Sequence, residues 1–199
     1  MFRFTIAAAL IAAPAAAQTG GLAQVQAHLR GLTTMTAGFA QTDRNGRTLT
    51  GSLTLKQPGR IRFQYEKNVP LLIVGDGKAL TMIDYQVSQV SRWPVGNSPL
   101  GLLLDPSKDL SRYAHLVPGA PEGRIVIEGR DPKHPEFGTI TIGFIRMASG
   151  PAGLALAGWS VLDAQGNRTV TILSDQKFGV AVRDQAFLWR DPRPKGPRH

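Results

Sequence analysis

The side chains that could carry out catalysis or bind a metal are few in this chain, and they are widely separated. The four histidines are His28, His115, His134 and His199, and none lies at metal-ligand spacing from another histidine or from a suitable carboxylate pair. The sequence contains no cysteine, which excludes disulfides, a thiol nucleophile and thiolate metal sites. We therefore expect neither a metal centre nor a cofactor.

Motifs that activate a serine or hold a phosphate are also missing from the sequence. There is no Gly-x-Ser-x-Gly elbow and no Ser-x-x-Lys pair. The tetrapeptide Gly75-Asp76-Gly77-Lys78 has the glycines of a phosphate loop but not the long helix that such a loop requires, so we interpret it as a hairpin turn. A triad built from distant residues stays possible, but no motif indicates one. The pattern favours a binding or carrier protein over an enzyme.

The N-terminus has the composition of a secretory signal. Arg3 gives a short positive region, residues 4–13 form an apolar run too short to span a bilayer, and residues 15–17 supply the small side chains that signal peptidase needs. We expect cleavage after Ala17, with a short membrane anchor as the alternative. Since no cysteine follows the apolar run, a lipoprotein signal is excluded. Export without disulfides favours the periplasm of a Gram-negative bacterium.

The chain is strongly basic, with 23 Lys and Arg, 14 Asp and Glu, and a formal net charge of +9. This charge favours anionic partners such as phospholipid headgroups or lipopolysaccharide, although solubility alone would also explain it. For an exported protein, nucleic acid is not an expected partner. Residues 191–199 hold three prolines and no apolar residue, which predicts a mobile basic tail. No linker or repeat divides residues 18–190, so we expect one monomeric domain.

Hydrophobic periodicity predicts one helix followed by many short strands. Leu22, Val25, Leu29 and Leu32 recur on one helical face, and from Met35 onward apolar residues alternate with polar ones. We expect ten or eleven antiparallel strands in a meander, because the spacing leaves no room for helical crossovers. The predicted strands cover residues 35–41, 49–55, 60–65, 71–74, 79–85, 87–93, 124–128, 138–146, 153–162, 167–173 and 187–189.

Two local patterns indicate an apolar interior with a cover. The strand that follows the Pro58-Gly59 turn alternates between a large apolar face (Ile61, Phe63, Tyr65) and a polar face (Arg60, Arg62, Gln64). Residues 98–106 place four leucines between Pro99 and Pro106, which predicts a short apolar helix, with a second one around residues 107–113. Such a helix must bury its leucines, either as a plug in the core or as a lid over a pocket.

The same segments, in their order, resemble the periplasmic outer-membrane lipoprotein carrier family, LolA. The resemblance rests on four motifs: Phe39-Ala40-Gln41, the strand pair Gly51–Phe63, the segment Leu72–Lys78 followed by Asp84-Tyr85, and Pro99-Leu-x-x-Leu-Leu. Together they cover residues 22–104, about half of the exported chain. The second half agrees only in its succession of short strands.

The resemblance implies a curved, incomplete β-barrel whose mouth is covered by short helices over an apolar cavity. It also implies that the protein takes acylated lipoproteins from an inner-membrane ABC transporter and passes them to an outer-membrane acceptor, which is a protein or the membrane itself. A carrier of another lipid, such as a glycolipid or phospholipid, is the first alternative. A sensor module or an uncharacterised hydrolase is an alternative from a different class.

The expected cavity and lid residues follow from these patterns, with ordinary core packing as the alternative for each. In the family, an Arg often precedes the Pro-Gly turn and resembles a latch that closes the lid. Gln57 takes its place here and has fewer hydrogen-bond donors. Arg60 or Arg62 is a candidate substitute for this Arg. We therefore expect a more open resting state. The expected cavity residues are Phe39, Leu53, Leu55, Ile61, Phe63, Tyr65, Ile73, Ile140, Ile142, Phe144 and Trp159, and the expected lid residues are Pro99, Leu100, Leu102 and Leu103.

Overall fold

The structure is a computed structural model that describes residues 15–194. The predicted signal sequence (residues 1–17) and the predicted basic tail (residues 191–199) lie largely outside the described residues. Within the described part of the chain, no helix combines the length and the apolar character needed to cross a membrane.

One sheet of eleven antiparallel strands forms the molecule, which confirms the mainly β prediction. Chain neighbours pair in two meanders, and the sheet order β6-β5-β4-β3-β2-β1-β11-β10-β9-β8-β7 joins them through β1 and β11. The sheet is curved and open, with β6 and β7 at its edges. The strands are β1 (Thr34–Thr42), β2 (Thr48–Lys56), β3 (Arg60–Tyr65), β4 (Leu71–Asp76), β5 (Ala79–Asp84), β6 (Gln89–Pro94), β7 (Ala114–Leu116), β8 (Arg124–Gly129), β9 (Thr139–Arg146), β10 (Leu154–Leu162) and β11 (Arg168–Phe178).

Aspartates start several of the hairpin turns. The Oδ1 atoms of Asp43, Asp76, Asp84 and Asp163 each accept a hydrogen bond from the backbone N–H two residues further on. This local bond lets the backbone reverse without a longer loop. In the turn between β2 and β3, Gly59 has a φ of +70°, which a residue with a side chain rarely adopts.

Helix α1 (Ala15–Gly31) covers part of the inner, concave face of the sheet. Its buried residues Val25 and Leu29, and Leu32 just beyond its end, belong to the same core cluster as the inner-face residues of the strands. The predicted helical face is therefore the packed face. The helix begins earlier than Leu22, where the sequence pattern had placed its start.

One predicted strand was wrong, and one strand was missed. Residues 187–189 do not form a strand: a 3₁₀ helix (Asp184–Phe187) crosses the outer face of the sheet instead, and Phe187 packs against Leu72 and Val74. Apolar residues alternate in this segment because it packs onto a face of the sheet. A strand paired within the sheet shows the same alternation. Strand β7 was missed because three residues are too few to show a period.

His28 anchors α1 to the turn before β10. The side chain is fully buried, and its Nδ1–H donates to the carbonyl of Pro151 over 2.8 Å. The ring also meets Phe144 edge-on, with ring centroids 5.3 Å apart. Its Nε2 is buried with no hydrogen-bond partner among the described residues, and burial lowers the pKa of His28.

We expect this histidine to make the fold sensitive to acid. The folded state resists a proton that the unfolded chain accepts below about pH 6.5, so stability is full above that pH and falls as the pH drops below it. Replacing His28 by Asn keeps a donor for Pro151 and removes the titration. Denaturant unfolding between pH 7.5 and 5.5 should then lose less stability than in the wild type. His115→Asn, at an exposed site on β7, is the control, and an unchanged pH dependence in the His28 variant would contradict the assignment.

Candidate functional site

The predicted cavity residues share the inner face of the sheet. Antiparallel register places Leu53 opposite Phe63, Leu55 opposite Ile61, and Phe63 opposite Ile73, so these side chains point to the same side. All of them except Ile73, which is half-buried, are shielded from solvent, and all pack in one cluster. The buried set is Phe39, Leu53, Leu55, Ile61, Phe63, Tyr65, Ile140, Ile142, Phe144 and Trp159.

Four aromatic rings occupy the centre of this interior. Phe39 meets Phe63 and Tyr65 edge-to-face, with centroids 5.4 and 5.2 Å apart, and Phe63 meets Trp159 at 6.0 Å. Gly51 lies between Phe39 and Tyr65 in the register, and a Cβ there would come within 2.8 Å of the Phe39 ring. The absence of a side chain at Gly51 therefore lets the rings of Phe39 and Tyr65 come into contact.

A polar link crosses the far end of the interior. The hydroxyl of Tyr65 donates to Gln41 Oε1 over 2.6 Å, and Gln41 Nε2 donates to Thr171 Oγ1 over 3.3 Å. Burial raises the pKa of Tyr65 to about 12, so the phenol keeps its proton. The sequence analysis missed this link, although the Phe-x-Gln spacing already placed Gln41 on the face of Phe39.

The short leucine-rich helix α2 (Gly101–Leu104) closes the end of the interior opposite the Tyr65 link, and we call residues 98–105 the lid. Leu102, Leu103 and Leu104 are only 6%, 0% and 1% exposed. The Ser98 hydroxyl accepts a hydrogen bond from the Leu100 N–H just before the helix, and Leu100 is half-buried. The predicted second helix is one 3₁₀ turn at Leu110–Arg112.

Gln57 ties the lid to the sheet. Its Nε2 donates to the Leu103 carbonyl over 3.0 Å, and its Oε1 accepts the Gly59 N–H over 3.1 Å. The same Gly59 N–H also donates to the Leu104 carbonyl, over 2.9 Å. The lid is thus closed in this structure, and Gln57 makes the contact, where the sequence had predicted a more open arrangement.

The sequence matches known proteins over most of its length. Residues 30–189 match the family described as outer membrane lipoprotein carrier protein LolA. A relative from Chromobacterium violaceum, named outer-membrane lipoprotein carrier protein, is 30% identical over 97% of this chain and 95% of its own. A relative of the same name from Xanthomonas axonopodis pv. citri is 32% identical over 92% and 90% of the two chains. The chain belongs to the LolA family.

A solved structure shares the fold without sharing the sequence. The crystal structure of a DUF1329 family protein from Desulfovibrio piger has a TM-score of 0.52 and 10% identity, and the match covers 85% of this chain and 96% of that one. It shows that the open curved sheet recurs outside the immediate LolA relatives.

Arg60 and Arg62, the other latch candidates in this LolA family member, lie on the outer face of the sheet and were wrongly assigned to the lid. Arg60 forms an ion pair with Asp184 at 2.6 Å, and Arg62 donates to the carbonyls of Ala186 and Leu188. Alternation along β3 requires this, because Ile61 and Phe63 face inward. The two arginines hold the C-terminal segment (residues 179–189), a role that no sequence pattern indicated.

No site for metal chemistry accompanies the apolar interior in the described residues. Among residues 15–194, no group of three or more His, Asp or Glu side chains is close enough to hold a metal ion. The arrangement that the structure does show is an apolar inner face, a small polar link at one end and a short lid at the other. This arrangement packs apolar side chains together and places its polar groups at the two ends.

Replacing Gln57 by Leu should open the lid more often. The change removes the donor to Leu103 and leaves a carbonyl unsatisfied, at a cost of about 1–2 kcal/mol, which corresponds to a roughly 5- to 30-fold higher opening equilibrium. Hydrogen exchange of the Leu104 and Asp105 amides, which bond to residues 100 and 101, measures this directly. Gln86→Leu, at an exposed turn, is the control. Equal protection in the two variants would show that Gln57 does not hold the lid.

Replacing Gly129 by Ala should loosen the lid from its other side. A Cβ at Gly129 would overlap the Leu102 side chain and lie 3.2 Å from the Tyr113 carbonyl, so Leu102 must move. Overpacking of this kind costs about 1–3 kcal/mol, so lid amides should exchange at least about fivefold faster. Gly143→Ala on β9 is a matched control, because a Cβ there would meet nothing nearer than 4.0 Å. Unchanged lid exchange in Gly129→Ala would contradict the packing argument.

Proposed function

We propose that this protein binds the acyl chains of lipoproteins and carries them through the periplasm from the inner to the outer membrane. The observation that supports this best is the apolar inner face of the sheet, closed by a four-residue helix held by few bonds. The names of the relatives, outer-membrane lipoprotein carrier proteins, support the same cargo.

The cargo enters by displacing the lid. In the closed structure the lid leucines fill the mouth of the interior, so an acyl chain must take their place. Helix α1 stays in position, because it is long and is anchored by His28 and by Val25 and Leu29. The lid, in contrast, is one turn between two prolines, and a helix this short loses its internal hydrogen bonds once its leucines leave the interior. The interior thus has one fixed cover and one removable cover.

The free energy of exposing the lid leucines and the free energy of burying an acyl chain are of similar size. Exposing the three buried lid leucines costs about 5–9 kcal/mol, at about 1.5–3 kcal/mol each. Burying about ten methylenes of an acyl chain contributes about 8 kcal/mol, at about 0.8 kcal/mol per methylene. Cargo binding is therefore favourable by a small margin for a longer chain, and the carrier can release its cargo to an acceptor that offers comparable burial.

The remaining parts of the proposal concern partners and location. The protein receives lipoproteins from an inner-membrane ABC transporter and delivers them to an outer-membrane acceptor, acting as a monomer and without catalysing a reaction. An N-terminal signal, cleaved after Ala17, directs it to the periplasm. The basic composition supports contact with anionic surfaces along this route.

Titration with a fluorescent fatty-acid probe tests the binding step. We expect saturable binding that weakens at least about tenfold in Ile73→Glu, because a carboxylate on the inner face opposes burial of an acyl chain. The matched control is Ile172→Glu, since Ile172 is 61% exposed outside the interior and should leave binding unchanged. Absence of saturable binding, or equal losses in both variants, would contradict the proposal.

Depletion of the protein in its host tests the transport step. We expect lipoproteins to accumulate in the inner membrane, and mass spectrometry of the purified protein to detect bound acylated peptides. Co-purification of a glycolipid or phospholipid alone, with normal lipoprotein sorting, would instead assign the carrier to another lipid.

A further inference from the structure

A pocket of about 250 Å³ lies where the lid meets the sheet. On the sheet side it is bounded by two hairpin turns that pack against each other: a Cβ at Gly59 would come within 2.8 Å of the Gly77 backbone. On the lid side it is bounded by Gly101 and by the loop that follows the lid as far as Lys108. We call this pocket the seam, because its two walls separate when the lid opens.

Each wall of the seam carries one lysine. Lys78 lies on the sheet side and Lys108 on the lid side. Among the described residues neither ammonium group forms an ion pair, whereas nearby cations do: Lys56 and Arg60 share Asp184, and Arg92 pairs with Asp76. The seam therefore carries two lysines whose ammonium groups have no salt bridge within the described part of the chain.

Local contacts hold the Lys108 ammonium group at the pocket, whereas Lys78 is exposed. The Lys108 Nζ lies over the Tyr113 ring, 5.4 Å from its centroid, and 3.3 Å from the position of a Cβ at Gly101. Asp105 also lines the seam, but its Oδ1 accepts hydrogen bonds from the backbone and hydroxyl of Ser107. The carboxylate keeps its negative charge, so the two lysines exceed it by one positive charge.

The size of the seam limits what it can bind. Its volume lies below the roughly 300–1,000 Å³ of sites for drug-sized ligands. A whole lipid does not fit. A phosphate group, free or as the phosphodiester of a lipid headgroup, has the charge and the size for two lysines in a small polar pocket.

We propose that the seam binds a phosphate group, which bridges Lys78 and Lys108 and holds the lid closed. Because lid residues form one wall of the pocket, the pocket is complete only in the closed state, so the anion binds that state more tightly and shifts the population toward it. By reciprocity, cargo that opens the lid weakens anion binding. This last coupling rests on the proposed carrier function, whereas anion binding and lid closure do not.

Titration with inorganic phosphate tests the site, with sodium chloride at matched ionic strength as the reference. We expect saturable shifts of the Gly59, Gly77 and Gly101 amide signals in NMR, and at least about threefold slower hydrogen exchange of the Leu104 and Asp105 amides at saturation. Lys78→Gln and Lys108→Gln should each weaken binding about tenfold. Lys67→Gln and Lys133→Gln remove the same charge at exposed sites away from the seam and should have no effect.

Vesicles distinguish the two sources of the phosphate group. Phosphatidylcholine vesicles with or without phosphatidylglycerol are added to the wild type and to the Lys78→Gln variant. Protection of the lid by phosphatidylglycerol vesicles at low free phosphate assigns the site to a headgroup, and protection by inorganic phosphate alone assigns it to the free ion. No protection by either probe, or equal losses in the Lys67 and Lys78 variants, would overturn the proposal. Failure of the fatty-acid titration would leave these readouts unaffected.

Discussion

The structure depends on keeping water away from the concave apolar face of a sheet that does not close on itself. A complete barrel protects its interior by pairing its edges, but here β6 and β7 are both edges, and the interior must be covered by other elements. Buried residues of eight strands meet on that face in one cluster together with α1 and the lid. The helices are therefore part of the core.

The two covers differ in how firmly they are attached. Helix α1 spans seventeen residues and is anchored by a buried histidine and several apolar residues, so its removal would expose a large part of the core. The lid is four residues long and is joined to the sheet through Gln57 and Gly59. Local opening has its lowest cost where contacts are fewest, so the lid is the element that opens before the rest of the fold does.

Most of the fold could be predicted because its signals are local. Alternation gave the inner residues Ile140, Ile142 and Phe144, and an aspartate followed by glycine gave the β4–β5 turn. The lid could be predicted from its leucines between prolines. The bond from Gln57 to the Leu103 carbonyl, 46 positions along the chain, could not be predicted as such, because any residue at position 103 offers the same acceptor. The role of Arg62 was hidden for the same reason, since its partners are also backbone carbonyls.

Strand β3 shows how one short segment serves two separate tasks. Its inward residues form part of the apolar interior, and its outward arginines bind the C-terminal segment, which shields Leu72 and Val74 on the other side of the sheet. Successive side chains of β3 point to opposite faces of the sheet. A register shift of one residue would turn its apolar residues outward and its arginines inward, and both apolar surfaces would then be exposed. Gln57 is outside this alternation, just before the turn, and from there it can reach the lid. The contact that closes the interior therefore depends on the turn between β2 and β3. The strands themselves keep the apolar residues on the inner face and the arginines on the outer face.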